Sequence, residues 1–345
     1  MPSDSMRNRI NIKELQLSDL ENDLRMKNFP LYHSKQIFSW IWQKNITDFS
    51  LMSDLPLKLR SYLAETYYFS AVQKKTFVKS KDGSIKYLLE LPDKKNIECV
   101  FIPENKRKTV CLSSQAGCAL GCRFCATAGL GFQRNLKAYE IIDQVRLIQT
   151  DLGLKVSNIV FMGMGEPLLN YDELIKAILH LSGKFGINIS QRKITISTVG
   201  ILDGIKKLLS SNLNVNLALS INFADQKLRR QMMPAAKANP LVDVLKLISR
   251  YSHKKRMVSG EYILFSGLND SKEDARDLLN LLKNTSIKIN LIPFNPCPDL
   301  EFKRPSPERV LAFYKILSKS KHEVTIRKSR GKDIYAGCGQ LARVY

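Results

Sequence analysis

An α/β fold on a largely parallel sheet, doubly wound or curled into a partial barrel, is the architecture this 345-residue sequence predicts. Three observations predict it. From Lys108 onward, short apolar runs recur at 108–112, 158–162, 193–197, 214–219, 261–265, 287–292 and 323–327. Helical stretches fall between them, near 137–152, 171–185, 201–210, 240–251, 271–283 and 306–319, the alternation of repeated β–α units. Residues just past the predicted strand ends are small, polar or glycine-rich: Ser113, Gly163 to Pro167, Ser197, Thr198, Ser220 to Asn222, Ser266 and Pro293 to Asn295. In such sheets ligands gather at the C-terminal ends of the strands, so the site is expected there.

Two smaller regions precede the core, which is expected over 106–345. Residues 1–70 read as a helical module: Ile37, Phe38, Ile41 and Trp42 recur at helical spacing, with Trp40 alongside, and Pro56 sits at a first-turn position of the next helix. An aromatic stripe of this kind covers a core more often than it stacks on bases. Residues 71–105 alternate as a strand extension, with Asp82-Gly83 between two runs as a hairpin signal. The next run, NIECVFIP, carries Glu98, which local context reads as an edge-strand residue facing water.

Composition narrows the function classes. Hydrophobic residues make up 44% and charged residues 25%, an ordinary globular balance with two or three domains expected at this length. No run reaches the length of a membrane span, and no leader-like apolar segment opens the chain, so a cytoplasmic location is expected. In a reducing compartment seven cysteines point to metal binding or reactivity before a disulfide framework. The net charge is +22, spread over Lys74-Lys75, Lys106-Arg107-Lys108, Arg192-Lys193, Arg229-Arg230, Lys254-Lys255-Arg256 and Arg327-Lys328. An excess of this size attracts polyanions, and nucleic acid is the expected partner. His33, His180, His253 and His322 show no ligand spacing.

The stretch Gly117 to Leu136, GCALGCRFCATAGLGFQRNL, sets Cys118, Cys122 and Cys125 in a C-x3-C-x2-C pattern. Three thiolates suit zinc or an iron–sulfur cluster, and both remain open on spacing alone. A cubane cluster with one iron free for a small chelating ligand accounts for the missing fourth residue. The segment MGMGEP offers Gly163 and Gly165 for close backbone approach and Glu166 as a charge for such a ligand's ammonium group.

With Phe124 inside the cysteine motif and GMGEP after it, the chain resembles the radical S-adenosylmethionine (SAM) enzymes. VCLSSQAGCALGCRFCATAGLGFQRNL, FMGMGEPLLN, NLIPFNP and RKSRGKDIYAGCGQL, in that order, resemble the RNA adenosine methyltransferases of the RlmN/Cfr family, most closely the adenine-C2 branch. The resemblance implies a partial (β/α)6 barrel with Cys118, Cys122 and Cys125 holding a [4Fe–4S] cluster. It implies SAM contacts at Gly165, Glu166, Ser197, Ser220, Ile221, Asn222 and Asn295. Cys338 matches the cysteine that carries the methyl group, Cys111 its partner in resolving the covalent RNA adduct, and Glu98 the proton acceptor. Two stages are implied. Cys338 is first methylated by one SAM, and a second SAM then generates the radical that activates that methyl group for addition to adenine, whose C2 is too electron-poor to attack SAM itself.

The implied substrate is 23S rRNA, with tRNA as a further one, and the implied electron donor is a flavodoxin or ferredoxin acting on a monomer. Two departures stand out. Asn222 replaces the usual His, which removes any acid–base role there but keeps a hydrogen bond. ISTVG is nearer the C8-methylating branch, whereas GEPLLN favours C2. C8 methylation and a non-catalytic, zinc-stabilised RNA-binding protein are the alternatives.

Overall fold

The computed structural model describes residues 9–252, 256–297 and 300–341. His253, Lys254 and Lys255 lie outside the described residues, as do residues 1–8. In chain order the strands are β1 (Ile10–Asn11), β2 (Tyr67–Tyr68), β3 (Gln73–Lys79), β4 (Ile85–Glu90), β5 (Asn96–Glu104), β6 (Arg107–Cys111) and β7 (Gln115–Gly117). They continue with β8 (Phe132–Asn135), β9 (Asn158–Phe161), β10 (Ile194–Thr198), β11 (Asn216–Ser220), β12 (Val258–Leu264), β13 (Lys288–Pro293) and β14 (Val324–Ile326). The N-terminal helices are α1 (Leu17–Met26), α2 (Tyr32–Trp42) and α3 (Leu57–Thr66). After them come α4 (Ala126–Gly129), α5 (Ala138–Leu152), α6 (Tyr171–Ser182), α7 (Leu202–Ser210), α8 (Gln226–Met232), α9 (Leu241–Ser252), α10 (Lys272–Leu282) and α11 (Pro307–Leu317).

One ten-stranded sheet runs in the order β14-β13-β12-β11-β10-β9-β6-β5-β4-β3. Every pair from β6 to β14 is parallel, and β3 to β6 pair antiparallel. Laid flat, seven parallel strands at their usual spacing would spread their ends over roughly 29 Å. Yet Phe161, Ser197, Ser220, Glu261, Ile292 and Arg327, from β9 through the residue after β14, line one cavity. The sheet therefore curls into the expected partial barrel, and among the described residues it stays open, with β14 and β3 as its edges.

Period-two alternation builds the two faces of that barrel. Ile159, Ile194, Ile196, Leu217, Leu219, Ile289 and Leu291 are fully buried in the main apolar core. The alternate positions carry polar side chains that bond to one another: Ser259 Oγ (2.7 Å) and Asn290 Nδ2 (2.8 Å) donate to Glu261 Oε1, and Thr325 Oγ1 donates to Asn290 Oδ1 (2.6 Å). Helix starts are written in the sequence. Ser271 caps α10 by accepting from Asp274 N–H while Asp274 accepts from Ser271 N–H, and Ser306 caps α11 ahead of Pro307.

The N-terminal stripe is core. Ile37, Phe38, Ile41 and Trp42 are buried, and the Phe38 ring stacks on His180 of α6 at 5.2 Å. Lys13 pairs with Asp143 of α5 at 2.9 Å, both buried, which fixes the module to the barrel wall. Trp40 stays partly exposed, donating to Asp54 beneath the Lys44 ammonium.

Two expectations need correction, and two elements are new. β5 lies between β4 and β6, so Glu98 is an interior residue, 2% exposed, and not on an edge. Arg229 belongs to no phosphate-binding surface: it is fully buried and donates to the Ile221 (3.1 Å) and Val199 (2.7 Å) carbonyls. The β7–β8 hairpin and α8 are additional elements, too short for periodicity to register.

Candidate active site

β7 and β8 pair antiparallel and hold the cysteine loop between them. Cys118 N–H donates to the Gly131 carbonyl at 2.9 Å, closing the loop at its base. Gly117, at φ +72°, is required there, because a Cβ would lie 1.8 Å from the Gly131 oxygen. Cys125 precedes α4 and its N–H donates to the Cys122 carbonyl at 3.1 Å. Phe124 anchors the loop in an aromatic cluster with Phe223 and Phe265 at 6.1 and 5.4 Å.

All three thiols line one cavity and sense one another. Burial, with Cys125 and Glu166 nearby, pushes Cys118 up to about 11. Burial and the neighbouring thiols raise Cys122 further, and burial raises Cys125. Among the described residues no three His, Cys, Asp or Glu side chains are gathered at metal-ligand spacing. Gathering thiolates needs a cation to offset their mutual repulsion and the desolvation that already raises each of them.

The cavity has about 840 Å³ of space including its mouth, enough for a nucleoside-sized ligand. Gly165, Glu166, Ser197, Ser220 and Asn222 line it, as expected for residues at strand ends. Glu166 is buried rather than turned to solvent; its carboxylate accepts from Leu168 N–H (3.1 Å) and Val199 N–H (2.9 Å), and burial lifts it to about 7. The glycines before it serve packing as much as ligand approach. A Cβ on Gly165 would meet the Gln115 side chain at 2.5 Å, and one on Gly163 the Leu112 carbonyl at 2.6 Å. Asn222 occupies the left-handed region at φ +57°, which Asn tolerates better than most residues, and its side-chain oxygen accepts from Ile263 N–H at 3.2 Å.

Glu98, Ile221 and Asn295 are not among the residues lining this cavity. Ile221 is fully buried, packed beside Gly260 and Ile287 where its backbone turns, so its side chain is core. Asn295 sits against the C-terminal segment, with its amide close to Gly337. Glu98 forms a buried ion pair with Lys86 at 3.2 Å. Because Cys111 pairs with Val100, two residues along β5 from Glu98, Glu98 and Cys111 share one face of the sheet.

Residues 329–341 form a strap that delivers Cys338 into the cavity beside the cysteine loop. One end is tied to the hairpin extension: Gly331 N–H donates to Asp82 (2.9 Å), Lys81 N–H to Asp333 (3.0 Å), and Lys86 Nζ to the Tyr335 carbonyl (3.4 Å). The other end is tied to the cysteine loop: Ala126 N–H donates to the Gly339 carbonyl (2.8 Å) and Thr127 Oγ1 to that of Leu341 (2.6 Å). Cys338 lies close enough to Cys111 to act on its thiol. Burial first and Cys338 second push the Cys111 thiol up to about 12, and Arg327 opposes them. Arg327 is held by Glu261 at 3.4 Å. Sequence reasoning missed this pair, although Glu261, a charge opening an apolar strand run, carried the signal.

Similarity to known proteins gives the family. Residues 112–281 match the Radical SAM superfamily, and residues 10–69 match the ribosomal RNA large subunit methyltransferase N-terminal domain. The chain is 45% identical over 327 residues to the dual-specificity RNA methyltransferase RlmN of Lawsonia intracellularis, with 91% of each chain covered. It is 43% identical over 344 residues to the probable RlmN of Syntrophomonas wolfei, covering 96% of each. A crystal structure of a radical SAM methyltransferase from Sphaerobacter thermophilus superposes with a TM-score of 0.89 at 37% identity, over 96% of this chain and 99% of that one. Enzymes of this superfamily use a [4Fe–4S] cluster and SAM, and three soft thiols lining a cavity of nucleoside size suit both. The chain belongs to the RlmN family of radical SAM RNA methyltransferases.

Proposed function

We propose that this chain methylates C2 of adenosine in 23S rRNA and tRNA, with Cys338 as the methyl carrier. The observation that carries the reading is the strap, which sets Cys338 on the wall of the cysteine-loop cavity and within electrostatic reach of Cys111. Relatives named dual-specificity RNA methyltransferases support the substrate class. Cys118, Cys122 and Cys125 hold the cluster, and Glu166, Ser197, Ser220 and Asn222 surround SAM. When bound, these groups supply an electrophilic methyl carbon and one-electron chemistry.

The chain's own residues do the rest. Cys338 passes its proton to solvent, attacks as a thiolate and becomes a methyl thioether, as the donor's sulfonium–methyl bond breaks and the donor leaves as a neutral thioether. Glu98, on the Cys111 face of the sheet, accepts the proton displaced from the adenine ring. Cys111 then attacks the Cys338 sulfur as a thiolate; the sulfur–carbon bond to the RNA breaks, its electron pair leaves with the carbon, which takes up a proton to complete the methyl group, and the Cys111–Cys338 disulfide that remains is reduced with two electrons by an external thiol. The N-terminal module over 1–70 docks folded RNA. The enzyme works as a cytoplasmic monomer, reduced by a flavodoxin or ferredoxin. No helix of the described residues is long and apolar enough to cross a membrane.

Anaerobically purified protein should contain iron and sulfide and turn over SAM and RNA to 2-methyladenosine, identified by mass spectrometry of digested RNA. Cys338→Ala should abolish product with iron content unchanged. Retained turnover in that variant, or 8-methyladenosine as the product, refutes the reading.

A further inference from the structure

A second cavity lies on the other side of Cys338. It runs along the barrel interior from the N-terminal ends of β6, β9, β10 and β11, past Thr109, Asn158, Thr195 and Asn216, to the strap. With its mouth it encloses about 2370 Å³, larger than the cysteine-loop cavity. Cys338 and Arg327 line both spaces.

Its rim is strongly cationic. Lys106, Arg107, Arg192, Lys193, Lys328 and Arg330 line it, and Glu104, 3.8 Å from Arg330, is the one carboxylate among the described residues that do. These cations come from three short basic clusters far apart in sequence, at 106–108, 192–193 and 327–328, which the fold brings to one opening. Lys106, Arg107, Arg192, Lys193 and Lys328 are exposed. Such a mouth suits closely spaced phosphates, and the uncharged walls behind it, which mix Asn158, Thr195 and Asn216 with Val160, Met257 and Ile292, suit the polar edge and apolar faces of a base.

Taking the proposed methyltransferase function as its basis, we propose that this mouth grips the phosphates flanking the target nucleotide, so that the adenosine reaches Cys338 from the side opposite the cysteine loop. SAM and RNA then need never share one space. The Cys338 sulfur takes its methyl group from one cavity and presents it in the other, and the flipped-out base enters an uncharged lumen of mixed polar and apolar side chains.

The test is charge reversal at the rim. Arg192→Glu with Lys193→Glu, and separately Lys106→Glu with Arg107→Glu, should weaken binding of an unmodified 23S rRNA transcript about tenfold or more and flatten its log–log salt dependence by about one to two. Methylation of Cys338 by SAM without RNA, followed by intact-protein mass spectrometry, should stay within about twofold of wild type. A Lys206→Glu and Lys246→Glu pair on the outer helices makes the same change in net charge and should alter RNA binding less than about twofold. Iron content and thermal melting check folding, and the Gln versions of each rim pair replace any Glu version that fails them. RNA affinity unchanged in the rim variants, or an equal loss in the outer-helix pair, overturns the proposal. So does normal RNA binding with slowed reduction by an acidic flavoprotein but not by dithionite, which assigns the mouth to the electron donor. If wild-type protein never acquires a methyl group on Cys338, it is the functional reading that fails, whatever the rim does.

Discussion

The cysteine loop and the C-terminal strap meet at one cavity but are held in opposite ways. The loop is short and stapled by backbone: β7 pairs with β8, and Gly117 lets the Gly131 carbonyl approach to a distance no Cβ would allow. The strap has little regular structure and is held mainly by side chains and single hydrogen bonds reaching to the hairpin extension and the loop. A group of metal ligands needs fixed spacing, which local backbone pairing provides. Cys338, the methyl carrier in the function proposed above, sits at a place defined by other parts of the chain, and only long-range contacts can put it there. The antiparallel strands β3 to β5 find their purpose in this difference, since β4 and the β3–β4 turn carry the strap's anchors.

The comparison can be broken most severely at the loop. Gly117→Ala places a methyl group against backbone at positive φ, and we expect a loss of at least about 3 kcal/mol with little iron incorporated, read by thermal melting and iron assay. Retained iron would show that the strap and not the hairpin shapes the ligand set.

Next in size is the buried pair behind the strap. Lys86→Met or Glu98→Leu alone should cost about 3–5 kcal/mol by leaving a buried charge without its partner, and the two together much less. Denaturant unfolding of the four proteins in a double-mutant cycle measures this. Additive losses would mean that the two residues act independently.

The smallest effect belongs to the tether at Asp333. Ser80 and Lys81 donate to its carboxylate and hold it below the usual aspartate range. A carboxyl lowered on folding contributes stability that is present above its unfolded value of 3.8 and is lost as pH falls through the lower folded value. Limited proteolysis of the strap should therefore be unchanged from pH 7 down to about 5 and rise only below the ordinary aspartate range. In Asp333→Ala it should already be raised at pH 7, with iron content unaffected.

Much of this was legible in the residues. The seven parallel strands fall where their apolar runs predicted, the six intervening helices likewise, and Asp82-Gly83 forms the hairpin turn. Five of the seven SAM-contact candidates line the cavity. Ile221 does not, because a strand-end position says nothing about which way the next side chain turns once the chain leaves the sheet. Glu98 was misread because local context cannot tell an edge strand from one flanked by partners distant in sequence. Arg229 was misread because a basic pair looks alike whether its guanidinium meets water or two carbonyls.

The sequence by itself determined the strand and helix periods, the spacing of the three thiols and the surplus of cations, since each is a property of neighbours along the chain. Tertiary structure alone decided that Cys338 lines the cysteine-loop cavity within electrostatic reach of Cys111, and that three dispersed basic clusters share one mouth. Those outcomes depend on how far the sheet curls and where the strap is tied, and contacts between residues hundreds of positions apart set both.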